Sequence, residues 1–118
     1  MNLFEKYGGA DFWSDFLNAV YIRLTKSEFV HHHFSDKNIS HIKEMLLGLL
    51  ELTLVSNVEI PKSEMKEFHK NLRISGDEFD EWISIYRLTL DEFGLSESDC
   101  THIVSILSSF REIIVYED

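Results

Sequence analysis

Glu64-Met65-Lys66-Glu67-Phe68-His69-Lys70-Asn71-Leu72 is a short helical run with one histidine in its second half, and the rest of the chain reads as an arrangement around that imidazole. Ser63 is placed to cap the run, and Val58 to Pro61 reads as the linker that enters it. Taken alone, a histidine on a half-apolar turn is more often structural than a ligand, because imidazole hydrogen-bonds as readily as it binds metal. The segments on either side decide how it is read.

Upstream, Ile42, Met45, Leu46, Leu49, Leu50 and Thr53 repeat at helical spacing after the turn and cap residues Ser35, Asp36, Asn38 and Ser40. Before them, Ser27 to Phe34 reads as an irregular or single-turn region. Its His31-His32-His33 run is expected to be a solvated turn, since consecutive side chains on a helix diverge by about 100° and should not meet on one ion. Earlier still, Ala10 or Asp11 opens a helix whose Trp13, Phe16, Leu17, Val20, Tyr21 and Leu24 form one apolar stripe. A first short helix, about Asn2 to Tyr7, stops at Gly8-Gly9. Downstream, Phe79, Trp82, Ile83, Tyr86, Leu90 and Phe93 make an amphipathic helix ended by Gly94. Ser96 caps a last helix carrying Ile103, Ile106, Leu107, Phe110, Ile113 and Ile114. With one proline and five glycines breakers are scarce, and all but Gly48 fall between periodic segments or near their ends, which is the pattern of an all-α fold.

A chain of 118 residues forms one domain, 1–118, able to bury roughly two-thirds of its unfolded surface. Nine Phe, four Tyr and two Trp favour a few large packed contacts. The net charge of -10 repels phosphate, which argues against nucleic acid and anionic membrane surfaces as partners. Cys100 is the only cysteine, so neither a disulfide within the chain nor a CxxCH attachment site can form. No signal peptide is recognisable and the longest apolar run is far below a membrane span, so the expectation is a cytoplasmic protein, monomeric or weakly dimeric.

In their order and spacing these features resemble the truncated haemoglobins, small globins that hold a haem within a two-over-two helical sandwich. The resemblance spans about Leu3 to Val115. It is carried by Leu3-Phe4-Glu5-Lys6-Tyr7-Gly8-Gly9, Tyr21, Phe34, Met65-Lys66-Glu67-Phe68-His69, Ile74-Ser75 and Leu90-Asp91-Glu92-Phe93-Gly94. It is closest to the first group of that family, although Trp82 falls where the second and third groups have a distal Trp. The resemblance implies an all-α truncated globin fold and a non-covalent haem b with His69 as the iron ligand. It further implies a haem lined by Phe34, Ile42, Met45, Leu46, Met65, Phe68 and Leu72. Tyr21 corresponds to the tyrosine that in this family hydrogen-bonds iron-bound dioxygen, and Trp82 offers a second N–H to the ligand.

The chemistry agrees with that implication. A non-covalent haem needs a neutral imidazole on iron, a flat apolar slot and a ring against the porphyrin face, which His69, the helical stripes and Phe34 supply. Its propionates want cations, for which Lys43, Lys66, Lys70 and Arg73 are the local candidates. Ile42 and Leu46 stand where the family often carries polar groups, so the pocket should be greasier than usual. Met45 stands where some members place a distal iron-binding histidine, and His41 is one position from the usual gate, which leaves an internal sixth ligand open.

The function expected is binding of dioxygen, nitric oxide or carbon monoxide at a His69-ligated iron. Nitric oxide dioxygenation with an external reductant would use the same residues, so the sequence leaves open whether the protein is an enzyme. The alternative from another class is a cofactor-free helical interaction module, which would be colourless.

Overall fold

The computed structural model describes residues 2–28, 30–34, 37–55, 66 and 74–115, so His69 and its neighbours Met65, Phe68 and Leu72 lie outside the described residues. Asn2 caps α1 (Leu3–Lys6) by accepting from Glu5 N at 2.9 Å. The chain then turns on two residues of positive φ, Gly8 at 131° and Gly9 at 72°, and enters α2 (Gly9–Lys26). A Cβ on Gly8 would stand 3.0 Å from the Cβ of Phe12. Gly8→Ala should therefore lower stability by about 1–3 kcal/mol through backbone strain alone, read as a lower urea midpoint at unchanged slope.

After α2 the chain passes through a 3-10 turn, η1 (His31–Phe34), to α3 (Ile39–Val55), where Asn38 accepts from His41 N at 3.1 Å. Ser75 opens α4 (Gly76–Glu92) with a capping box. Glu78 N donates to Ser75 Oγ at 3.1 Å, and Ser75 N donates back to Glu78 Oε1 at 2.9 Å. Gly94, with φ of 88°, turns the chain into α5 (Glu97–Ser108), capped by Ser96 as expected. The last helix is not continuous. Phe110 separates α5 from α6 (Arg111–Ile114), because backbone N–H groups of Ser109 and Phe110 bond three residues back and tighten the turn. The break turns Phe110 and Ile114 onto Phe79, forming a second small core, and a parallel bridge joins Ile74 to Val115 beside it.

α2 packs against both α3 and α4, and α4 packs against α5, which is the two-over-two arrangement. The main core is the α2 stripe: Trp13, Phe16, Leu17, Val20, Tyr21 and Leu24 are all buried, together with Tyr86 and Leu90 of α4 and Cys100 and Ile103 of α5. Two polar ties fix the layers. Arg23 of α2 donates to the buried Thr89 Oγ1 at 2.6 Å and also pairs with Glu92 of α4. Asp99 accepts from Lys6 Nζ at 2.8 Å and from the Tyr7 hydroxyl, which hold its carboxyl below the usual range and tie α1 to the start of α5. No helix among the described residues is long and apolar enough to cross a membrane.

Candidate functional site

The site begins with the last two turns of α2. Helical periodicity carries the core stripe through Val20 to Leu24, and so buries Tyr21 to 6 % exposure. Its ring meets Phe34 of η1 edge to face, with centroids 5.5 Å apart. Burial pushes the Tyr21 hydroxyl well above its ordinary value, so the group is a protonated donor throughout the physiological range. It makes no hydrogen bond to another described residue. Tyr86 of α4 is buried nearby. Its hydroxyl is raised first by burial and then by the Tyr21 hydroxyl, so two tyrosine O–H groups share one apolar region. From the sequence Tyr86 was legible only as a core position. Its place one turn after Trp82 on the same stripe was the available signal.

α3 flanks this region with a broad apolar arc opposite Ser40, His41, Glu44 and Glu51, yet none of its residues is buried. Ile39, Ile42, Leu46, Leu47, Leu50 and Leu54, all partly buried, pack against the main core. At 100° per residue Ile42, Leu46, Leu49 and Thr53 share a face. Thr53 Oγ1 on that face is the one buried side-chain polar atom without a hydrogen-bond partner among the described residues. Further round, Met45 is 38 %, Leu52 49 % and Val55 40 % exposed. The described residues therefore leave the outer half of the most apolar helix uncovered.

The sequence-predicted residues divide as follows. Tyr21, Phe34, Ile42 and Leu46 come together at the main core or its edge. Trp82 is half-buried between the two cores, its ring 5.3 Å from Phe79 and 5.1 Å from Tyr86, so it reaches the Tyr21 region through Tyr86. Met45 and His41 are both exposed on α3. Lys43 turns toward α2, where its Nζ donates to Asn18 Oδ1 at 2.7 Å. It lines a shallow crevice with Ser14, Leu17 and Leu47 that includes neither Tyr21 nor Phe34. Lys66 is exposed, while Lys70 and Arg73 lie outside the described residues. Cys100 is fully buried against Leu95 and Asp91, and burial raises its thiol, so it is an inert core residue.

The histidine run corrects the sequence reading. His31 does turn away, its Nδ1 lying 2.8 Å from Ser27 O. His32 and His33, however, converge: their Nε2 atoms lie 3.0 and 2.7 Å from the same Oε2 of Glu78. The 100° between successive helical residues describes Cβ directions only. An imidazole nitrogen sits beyond two further torsions, and Glu78, on another element, offers a point between the two directions.

Neither protein-family models nor curated proteins give a match to this sequence. Solved structures do. The truncated haemoglobin of Tetrahymena pyriformis in its Fe(III) form superposes with a TM-score of 0.85 at 20% identity, covering 99% of this chain and 100% of that one. The 2/2 haemoglobin of Synechococcus sp. PCC 7002, in the cyanomet state with covalently attached haem, gives 0.84 at 19% identity over 98% of both chains. A thermostable haemoglobin from the actinobacterium Thermobifida fusca gives 0.80 at 14% identity over 100% of both chains. At these identities the likeness is one of backbone, and it is complete from end to end: the chain has the truncated haemoglobin fold.

Proposed function

We propose that this chain binds haem non-covalently with His69 as the iron ligand, and takes a diatomic gas on the side of Tyr21. The observation that carries this reading is the setting of Tyr21: a buried, protonated hydroxyl, edge to face with Phe34, beside an apolar helix with no buried residue. The residues present fit a haem. The Ile42, Leu46, Leu49 and Thr53 face offers a flat apolar wall containing an unanswered hydroxyl, and Phe34 offers a ring to lie against the macrocycle.

The haem, when bound, supplies an iron coordination position for dioxygen, nitric oxide or carbon monoxide. Tyr21 holds its proton at Oη in a water-poor setting and presents it to a ligand that accumulates negative charge. Ile42 and Leu46 add no donor, so they keep the pocket dry rather than polar. Trp82 offers a second N–H, separated from Tyr21 by the Tyr86 ring. Met65, Phe68 and Leu72 would wall the side of His69. Storage, sensing and nitric oxide turnover with an external reductant all draw on these groups, and the reading commits to gas binding.

The test is spectroscopic. Purified chain given haem should show a Soret band, and the ferrous spectrum without gas separates five-coordinate iron from ligation by His41 or Met45. His69→Ala should lose the bound haem or weaken its retention at least tenfold. A folded His69→Ala protein with full, unshifted haem absorption would remove His69 from iron. The exposed Met45, Leu52 and Val55 favour one other reading, a cofactor-free module that docks a partner on α3. A chain that stays colourless with excess haem would support that reading instead.

A further inference from the structure

We propose that His32, His33 and Glu78 form a site for a divalent transition-metal ion of the zinc class, separate from the proposed haem pocket. One nitrogen of each imidazole and one oxygen of the carboxylate all lie within 4.8 Å of one another. The two Nε2 atoms stand 3.0 and 2.7 Å from Glu78 Oε2. Ligands at about 2.0–2.2 Å from a tetrahedral zinc lie roughly 3.3 Å apart, so seating an ion lengthens the two contacts with Glu78 by roughly 0.3–0.6 Å and draws the two imidazole nitrogens, at most 4.8 Å apart, to a similar spacing.

The set is also held in advance. Glu78 is fixed by the capping box: Ser75 N occupies Oε1, which leaves Oε2 as a single-oxygen ligand. Burial would raise this carboxyl, but hydrogen bonds from the Ser75 backbone and His33 outweigh it and keep the group ionised, as a ligand must be. The His33 and Glu78 side chains are only 10 % and 14 % exposed, so both lose little freedom on binding. The His32 and His33 rings lie 4.1 Å apart, tilted by 41°, with both Nε2 atoms toward Glu78. Two imidazoles and one carboxylate suit zinc, nickel or ferrous iron rather than calcium or magnesium, which prefer oxygen ligands throughout. The His32 side chain is 56 % exposed, so the remaining coordination positions open to solvent. Because one pair of ligands sits on η1 and the other ligand on α4, a bound ion would clamp the turn that carries Phe34.

The experiment is zinc titration of the untagged full-length chain near neutral pH, in competition with a chromophoric chelator. One zinc per chain is expected. His32→Ala, at an exposed position that leaves folding intact, should weaken binding at least tenfold. Glu78→Gln, whose amide oxygen can still accept from Ser75 N, should do the same. His102→Ala, exposed on α5, should leave binding unchanged. Absence of stoichiometric binding overturns the proposal, as does full affinity in either His32→Ala or Glu78→Gln, or loss of affinity in His102→Ala alone. In that case the cluster is only a hydrogen-bonded tie between η1 and α4.

Discussion

Tyr21→Phe should release dioxygen about 10- to 100-fold faster from the haem-loaded chain while leaving its folding stability nearly unchanged. The first half follows from the donor. A hydrogen bond to a charged or strongly polarised acceptor contributes about 1.5–3 kcal/mol, and each 1.4 kcal/mol is a factor of ten in an equilibrium. Most of such a loss falls on the dissociation rate. The second half follows from the packing. Phenylalanine keeps the ring that meets Phe34 at 5.5 Å, and the hydroxyl it removes makes no hydrogen bond to another described residue. Carbon monoxide supplies the internal control: bound at iron it is a poor hydrogen-bond acceptor, so its release should change far less than that of dioxygen. Stopped-flow measurement of both gases on both proteins reads the difference directly. Equal dioxygen release from Tyr21→Phe and the parent would transfer the donor role to Trp82 or to water, and Tyr86→Phe would then become the next variant to compare.

That prediction rests on a residue the sequence exposed well, and the reason is periodicity. Tyr21 falls on a stripe of spacings three and four that begins at Trp13, and all six residues of that stripe are buried. The same logic made α4 and its Gly94 stop legible. It failed at Phe110, where an apolar residue continues the helical pattern although the backbone tightens and breaks. Local composition holds no mark of that break, since what decides it is the company of Phe79 on a distant helix. The histidine run shows a different limit. Its convergence depends on Glu78, 45 residues away. Spacing rules within one segment carry no information on a partner supplied by another.

α3 was legible as a helix but not as a surface. Its apolar stripe was read through Ile42, Met45, Leu46, Leu49, Leu50 and Thr53, whereas Ile39, Ile42, Leu46, Leu47, Leu50 and Leu54 pack against the main core and Met45, Leu52 and Val55 stay exposed. The low identity to the solved haemoglobins is consistent with this division of labour. A stripe of large apolar residues at the right spacing can be refilled many times without moving a helix axis, so the fold persists where individual residues do not.

Trp13→Ala should destabilise the chain by about 3–5 kcal/mol, a large share of the roughly 5–15 kcal/mol available to a domain of this size. Trp13 is fully buried, and its ring is in contact distance of Phe4, Tyr7, Phe12 and Phe16, with centroids 6.5, 6.4, 5.0 and 5.4 Å away. Four rings set around a fifth, Tyr7 stacked on Phe12 and Phe16 edge to face with Tyr86, cannot collapse into the space it leaves without giving up such contacts. The indole also donates from Nε1 to Phe4 O at 3.0 Å, the bond by which α1 is fastened onto α2. Truncation therefore removes a packed volume and leaves a buried carbonyl unpaired. Trp13→Phe separates the two effects, since it keeps most of the ring and loses the donor; it should cost about 1–3 kcal/mol. Urea unfolding of the two variants measures both terms. A loss below 1 kcal/mol in Trp13→Ala would mean that α1 shifts to fill the space, and the tie between Asp99, Lys6 and Tyr7 would then have to yield with it.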